Sequence, residues 1–236
     1  MIPYENVQIG NFLVSLGFYL KSMDKPLLAS INLTQQTPLD YKGGDLVGVL
    51  NGQFFILEFK RDKEGIATES TKSKYVALKE ASQKNPVLLK VSNKCHLLSY
   101  GEENDQHFNF KFFPYLTPPI PPFAINSLEA FIEQIFNRQL GVNYHNFKIY
   151  VQQLAACSTK GSSGTSSSGS SLKPSIEQIS GIVVCIDKDD KLSNCVFNSL
   201  LELQNLLHMD MKVEKNKEQT MKKNKSQDQG IGPDMN

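Results

Sequence analysis

Apolar residues return at helical spacing near the start of the chain. Phe12, Leu13, Leu16 and Leu20 lie three to four residues apart, and Pro3 suits a first helical turn, so a helix is predicted from Pro3 to about Tyr19. Leu27–Leu33 reads as a strand. Asp45–Leu50 and Gln53–Lys60 read as two strands joined by Asn51-Gly52, the strongest short hairpin signal. Thr68–Ser82 has the pattern of a helix, Val87–Val91 that of a short apolar strand, and Lys94–Tyr100 continues the sheet. Pro114–Pro122 (PYLTPPIPP) is proline-rich and extended, which suits a rigid connector. Ser127–Gln139 is an amphipathic helix. Gly181–Ile186 and Leu192–Phe197 form a hairpin around Asp187–Lys191, and Ser199-x-x-Glu202 is a capping box opening a further helix. Together these elements predict an α/β protein with a central mixed sheet flanked by helices.

Four regions follow from the change in pattern. Residues 1–157 are dense in periodic apolar positions and form the main domain. Residues 158–174 open on STKGSSGTSSSGSS, which can bury nothing and reads as a flexible linker. Residues 175–211 return to apolar patterning as a hairpin-plus-helix appendage, one that can add to the sheet edge. Residues 212–236 read as a disordered lysine-rich tail, with six lysines against four acids.

Composition narrows the classes. Lys+Arg 25 against Asp+Glu 24 gives a net charge of +1, which excludes a uniformly basic histone-like or ribosomal-type protein. The charge is uneven, because residues 42–94 hold ten bases and six acids. No apolar run approaches 18 residues and no basic-then-apolar leader is visible, so the expectation is a cytoplasmic protein with no membrane partner. The four cysteines and four histidines form no CxxC, HxH or HExxH pattern, so a structural zinc site is not expected.

The Asn51-Gly52 hairpin concentrates the chemistry. A two-residue turn pairs Leu50 with Gln53, which sets Asp45 directly opposite Glu58 on a narrow pair, Cα atoms about 4.5 Å apart. Lys60 falls opposite Gly43, on the same face as Glu58. Two facing carboxylates destabilise a hairpin by themselves. A cation between them removes that cost, and hard oxygen donors with room for water suit Mg²⁺. Gly43-Gly44 leaves space beside the pair for a phosphate, and Lys60 supplies positive charge next to it. Glu5 lies on the stripe of Phe12 and Leu16. It reads equally as a site carboxylate or as an acid favoured at a helix N-terminus.

Asp45, Glu58-Phe59-Lys60 at the end of an apolar strand, an upstream helix carrying Glu5 and a basic helix downstream resemble the PD-(D/E)xK nuclease superfamily. The resemblance implies a restriction-endonuclease-like αβββαβ core over roughly residues 1–100. It implies that Asp45, Glu58 and the Phe59 carbonyl bind Mg²⁺ or Mn²⁺, that Lys60 assists hydrolysis and that Glu5 completes the site. It also implies a nucleic-acid substrate, DNA before RNA, in restriction, repair or anti-phage settings, with a homodimer or larger complex as a usual form. Gly44 stands where the nominal proline would be. In the next helix, where some members carry Gln, this chain has Ser70, Thr71 and Lys72, and Lys72 and Lys74 are candidate phosphate contacts.

The tripeptide has little weight on its own. Asp40-Tyr41-Lys42, Asp189-Asp190-Lys191 and Asp210-Met211-Lys212 also match acid-x-Lys, but none ends a long apolar strand facing an acid. Two other readings stand beside the nuclease. The hairpin can be amphipathic with a rim that happens to be Asp, Glu and Lys, or the chain can be a non-catalytic module that binds nucleic acid or protein on the same fold. Remaining signals are weaker. Asp187-Lys188-Asp189-Asp190 lacks the ligands of a calcium loop and reads as a turn. His96 reads as a packed histidine. Tyr144, His145 and Phe147 suit core or surface packing better than base stacking, and the lysine-rich tail reads as solvated.

Overall fold

The computed structural model describes residues 3–23, 29–33, 44–104, 107–116, 124–159, 181–186 and 192–197, with Ser199, Glu202 and Asn205. The first helix, α1, runs Glu5–Ser22 and buries Ile9, Phe12, Leu16 and Leu20, the predicted stripe. Strands β1 (Ala29–Leu33), β2 (Leu46–Leu50) and β3 (Gln53–Lys60) follow in antiparallel succession. Asn51 and Gly52 both take positive φ, 49° and 70°, as a tight hairpin turn with right-handed twist requires. β2 and β3 are buried on both faces, which explains why QFFILEFK is almost continuously apolar instead of alternating.

The predicted helix Thr68–Ser82 is two helices, α2 (Lys63–Glu69) and α3 (Ser73–Lys84). Asp62 caps α2 by accepting the Gly65 N–H at 3.0 Å, and the chain breaks at 70–72 before α3 begins. Val87–Val91 is not a strand. It lies inside helix α4 (Pro86–Cys95), because Asn85 accepts the N–H groups of Val87 and Leu88 and Pro86 occupies the first turn. That start signal outweighs a short apolar run. The sheet resumes at β4 (His96–Asn104), which pairs with β5 (His107–Pro114). β5 is absent from the predicted elements, although Phe108, Phe110 and Phe112 alternate with Asn109 and Lys111 at the period of a strand. Helix α5 (Leu128–Phe136) is capped by Ser127, and helix α6 (Tyr144–Thr159) follows. β6 (Gly181–Ile186) and β7 (Leu192–Phe197) form the hairpin expected there.

The seven strands make one mixed sheet in the order β5-β4-β3-β2-β1-β6-β7, and β3–β4 is its single parallel pair. The α/β class with a mixed sheet flanked by helices is therefore present. β6 joins β1 at Ala29–Val184, so residues from the 175–211 region extend the sheet at that edge. One face of the sheet packs on α1 and α5 through Phe12, Phe55, Phe59, Phe112 and Phe131. The other packs on α3, α4 and α6 through Phe54, Ile56, Leu78, Leu88 and Phe147. Glu202 N–H donates to Ser199 Oγ at 3.1 Å, the backbone half of the expected capping box. The Ser/Gly linker beyond Thr159, the Asp187–Lys191 turn, residues 117–123 of the proline run, Gly43 and the lysine-rich tail lie outside the described residues. Among the described residues no helix is long and apolar enough to cross a membrane.

Candidate active site

The β2–β3 register, Leu50 opposite Gln53 and Leu46 opposite Leu57, carries Asp45 opposite Glu58 one step beyond the ladder. Strand alternation puts Glu58 and Lys60 on the face of Phe54 and Ile56, and Asp45 on the face of Val47 and Val49. That is the face covered by α3, α4 and α6. All three polar side chains are buried, at 9% exposure for Asp45, 6% for Glu58 and 7% for Lys60. The expected juxtaposition is therefore present in space, and each group has partners that explain how it tolerates burial.

Phe59 N–H donates to Asp45 Oδ2 at 2.6 Å, so the Phe59 backbone group seen at Asp45 is the amide. Lys60 Nζ lies 3.1 Å from Glu58 Oε1 and 3.1 Å from Glu69 Oε2. Glu69, at the end of α2, is fully buried; Lys72 Nζ reaches its Oε2 at 2.6 Å and Tyr115 Oη donates to its Oε1 at 2.8 Å. The result is a line of alternating charge, Glu58–Lys60–Glu69–Lys72, with Tyr115 at its side. Lys72 thus has a carboxylate partner inside the protein. Lys74 Nζ lies 5.9 Å from the Tyr115 ring centre.

Glu5 accepts the Arg61 N–H at 3.1 Å, which ties α1 to the end of β3. It stands close enough for its charge to bear on Asp45. Gln8, one turn further on, is fully buried and makes a three-way clamp. Its Nε2 donates to the carbonyls of Arg61 (2.7 Å) and Pro3 (3.1 Å), and its Oε1 accepts the Gly101 N–H at 2.9 Å.

Electrostatics mark Asp45 as the unsettled member. Burial and then the Glu58 charge push its carboxyl up to about 7, against the opposing pull of Lys60 and the Phe59 amide. Burial alone would lower the Lys60 ammonium, but Glu58, Glu69 and Asp45 outweigh it and raise it, so Lys60 stays charged. Burial would likewise raise Glu69, yet Lys60, Lys72 and Tyr115 hold it below the usual carboxylate range. Three carboxylates against two ammonium groups leave the ionised cluster one charge negative.

The donor set fits a hard divalent cation. Glu58 Oε2 is buried with no hydrogen-bond partner. Gly44, at φ 93°, has no Cβ where one would stand 3.0 Å from that oxygen and 2.6 Å from Ile56 Cγ2, so the space is open only because the residue is glycine. Asp45 and Glu58 would supply two ligands to such an ion, and among the described residues no cluster of three or more His, Cys, Asp or Glu side chains gathers around an ion position.

Glu69, Gln8 and Tyr115 join the site without being among its predicted residues. Asp62 followed by Gly65 signals a helix starting at Lys63, which would have put Ile66 and Glu69 on one inward face. Gln8 sits among Ile9, Phe12 and Leu16, where a buried amide demands partners. Tyr115 has no local signal. His96 is fully buried, stacks on Tyr115 at 3.9 Å and bonds Tyr150 Oη through Nδ1 at 2.7 Å; burial, then Lys74 and Lys60, keep it neutral. Phe147 lies 5.3 Å from Phe54 in the core and Tyr144 5.9 Å from the same ring, which is packing rather than a stacking platform for bases. No known protein family, curated protein or solved structure matches this chain.

Proposed function

We propose that this chain is a metal-dependent nuclease of the PD-(D/E)xK kind, hydrolysing phosphodiester bonds in nucleic acid, DNA in preference to RNA. The observation that carries the reading is the buried pair Asp45 and Glu58, whose mutual repulsion helps to push the Asp45 carboxyl up to about 7, with Glu58 Oε2 unpartnered. Helix, three antiparallel strands, helices and a parallel strand succeed one another over residues 5–104, which supports a restriction-endonuclease-like core. In this reading Asp45 and Glu58, with the Phe59 carbonyl, hold Mg²⁺, and Mn²⁺ substitutes. The bound ion supplies Lewis acidity and a water acidified toward neutral pH. Lys60, fixed between Glu58 and Glu69, presents a charge that cannot swing away, where negative charge develops on the phosphate. Glu5 fixes the backbone just after Lys60 and adds negative potential at Asp45. A small catalytic unit of this kind would act as a homodimer or within a larger cytoplasmic complex.

The test is incubation of plasmid, single-stranded DNA and RNA with the protein in Mg²⁺, Mn²⁺ or EDTA, with Lys60→Ala and Glu58→Gln alongside. Cutting that needs metal and falls by about 10²-fold or more in both variants is the expected result. Absence of cutting and of calorimetric Mg²⁺ or Mn²⁺ binding, with Glu58→Gln only more stable than wild type, sinks the reading in favour of a non-catalytic interaction module.

A further inference from the structure

At the end of β3 opposite the carboxylates lies an open pocket of about 420 Å³, bounded by Gln53, by α4 and by the segment leading into α6. Its charged lining is Lys90, Lys94 and Arg138, and no carboxylate lines it. The sequence explains the imbalance. Residues 81–101 contain three lysines and no acid, and residues 134–159 contain Arg138, Lys148 and no acid. In a chain of net charge +1, two acid-free stretches brought together around one concavity make a local positive field.

The pocket wall is held stiffly. Phe54 and Val142 exchange both backbone hydrogen bonds, at 2.7 and 3.0 Å, and Gly141 N–H donates to the Lys94 carbonyl at 2.7 Å. Gly141 has φ 73°, and a Cβ there would stand 2.6 Å from Gln53 Cβ, so the loop lies hard against the start of β3. Arg138 follows the cap of α5 with φ 59°, a position where glycine is usual and another residue costs roughly 1 kcal/mol. Lys94 Nζ donates to the Arg138 carbonyl at 3.4 Å, which holds the lysine beside the arginine. Asn143 accepts the Asn146 N–H at 3.0 Å, and the start of α6 adds its partial positive charge from the same wall. Three cationic side chains around a preformed hollow fit a phosphate, which an arginine fork and two ammonium groups can bind together.

We infer that this pocket holds a backbone phosphate of the nucleic-acid strand whose scissile bond lies at Asp45 and Glu58. The identity of the ligand rests on the nuclease reading. From Gln53 to Glu58–Lys60 is roughly 17–23 Å along the strand, at about 3.3 Å per residue. Helices α3, α4 and α6 cover that face of β3, so a bound strand passes around them and spans at least this distance. The pocket would then fix how far from the bound end or flank the cut falls.

The experiment uses the full chain in EDTA, so that affinity is read without cleavage. Fluorescence anisotropy with a labelled duplex of about 20 base pairs is measured against salt for wild type and for K90Q/K94Q/R138Q. The triple variant is expected to bind about tenfold or more weakly at 0.1 M salt, with its log K–log salt slope shallower by about 2–3. Lys90 is an exposed α4 side chain, so K90Q alone tests the same point without threatening the fold and should flatten the slope by about 1. Unchanged affinity and slope in the folded variants overturn the inference, whether or not the protein cuts DNA. Variants that lose affinity for inorganic pyrophosphate but not for duplex overturn it too, since the ligand would then be a free phosphate. Lost duplex binding in a chain that never cleaves leaves the pocket standing and removes the nuclease reading alone.

Discussion

Along β3 the odd-numbered side chains Phe55, Leu57 and Phe59 pack into the cluster formed with α1 and α5, while the even-numbered ones run from Phe54 and Ile56 into Glu58 and Lys60. The first face is held by ring geometry. Phe131 stacks on Phe112 at 4.5 Å and meets Phe55 edge-on at 5.4 Å, and Phe12 meets Phe59 edge-on at 5.5 Å. The second face stops being apolar after Ile56 and becomes a chain of compensating charges. One strand thus builds a dry anchor on one side and a charged cluster on the other. The charged side can hold ionisable groups out of water because the anchor carries the strand.

The sharpest way to break this contrast is to weaken the anchor. Phe131→Ala removes a fully buried ring, and urea unfolding should register a loss of roughly 3–5 kcal/mol. Its pH dependence below about pH 9 should stay that of wild type, since the buried members of that cluster carry no ionisable group and Tyr19, packed against it, has its hydroxyl pushed up from its ordinary alkaline value by burial and Glu133. An altered pH profile in this variant would mean that the two faces are not separable.

A smaller effect distinguishes the charged face. Between about pH 4 and 7 the folded protein keeps the Asp45 carboxyl protonated while the unfolded chain ionises it, so unfolding releases a proton there. Stability of the metal-free protein should therefore fall as pH rises through this window and level off above about 7. Asp45→Asn should flatten that decline and melt higher than wild type at pH 8, read by thermal unfolding in EDTA. A wild-type melting temperature that rises over the same window would refute the assignment.

The smallest effect belongs to the rim. Lys72 is half exposed (50%) although its partner Glu69 is buried, so Lys72→Ala should shift stability by at most about 1 kcal/mol. A markedly larger loss would place Lys72 inside the cluster's structural support.

The carboxylate pair was legible because the Asn51-Gly52 turn fixes register, and register fixes which side chains face each other. The stripe of α1 and the β6–β7 hairpin were legible for the same kind of local reason. Segments whose character is set by capping depart from their apolar pattern, as at Asn85-Pro86, where a cap turns an apolar run into α4. Contacts made across the fold carried little local trace. Nothing near Tyr115 announces that its hydroxyl will bond Glu69, whereas β5 does carry a local trace, the alternation of Phe108, Phe110 and Phe112 with Asn109 and Lys111. Lys90, Lys94 and Arg138 are unremarkable surface cations until the chain brings two acid-free stretches together.

Gln8 has a consequence for synthesis on the ribosome. It joins Pro3 and Arg61 to Gly101, and β3 has no parallel neighbour until β4 exists. All the carboxylates of the hairpin and Lys60 have been made by residue 60, but the last partner of their network is Tyr115. At about 5–20 residues per second, roughly 3–11 s therefore pass between translation of Lys60 and translation of Tyr115, and α6, which also covers this face, is made later still.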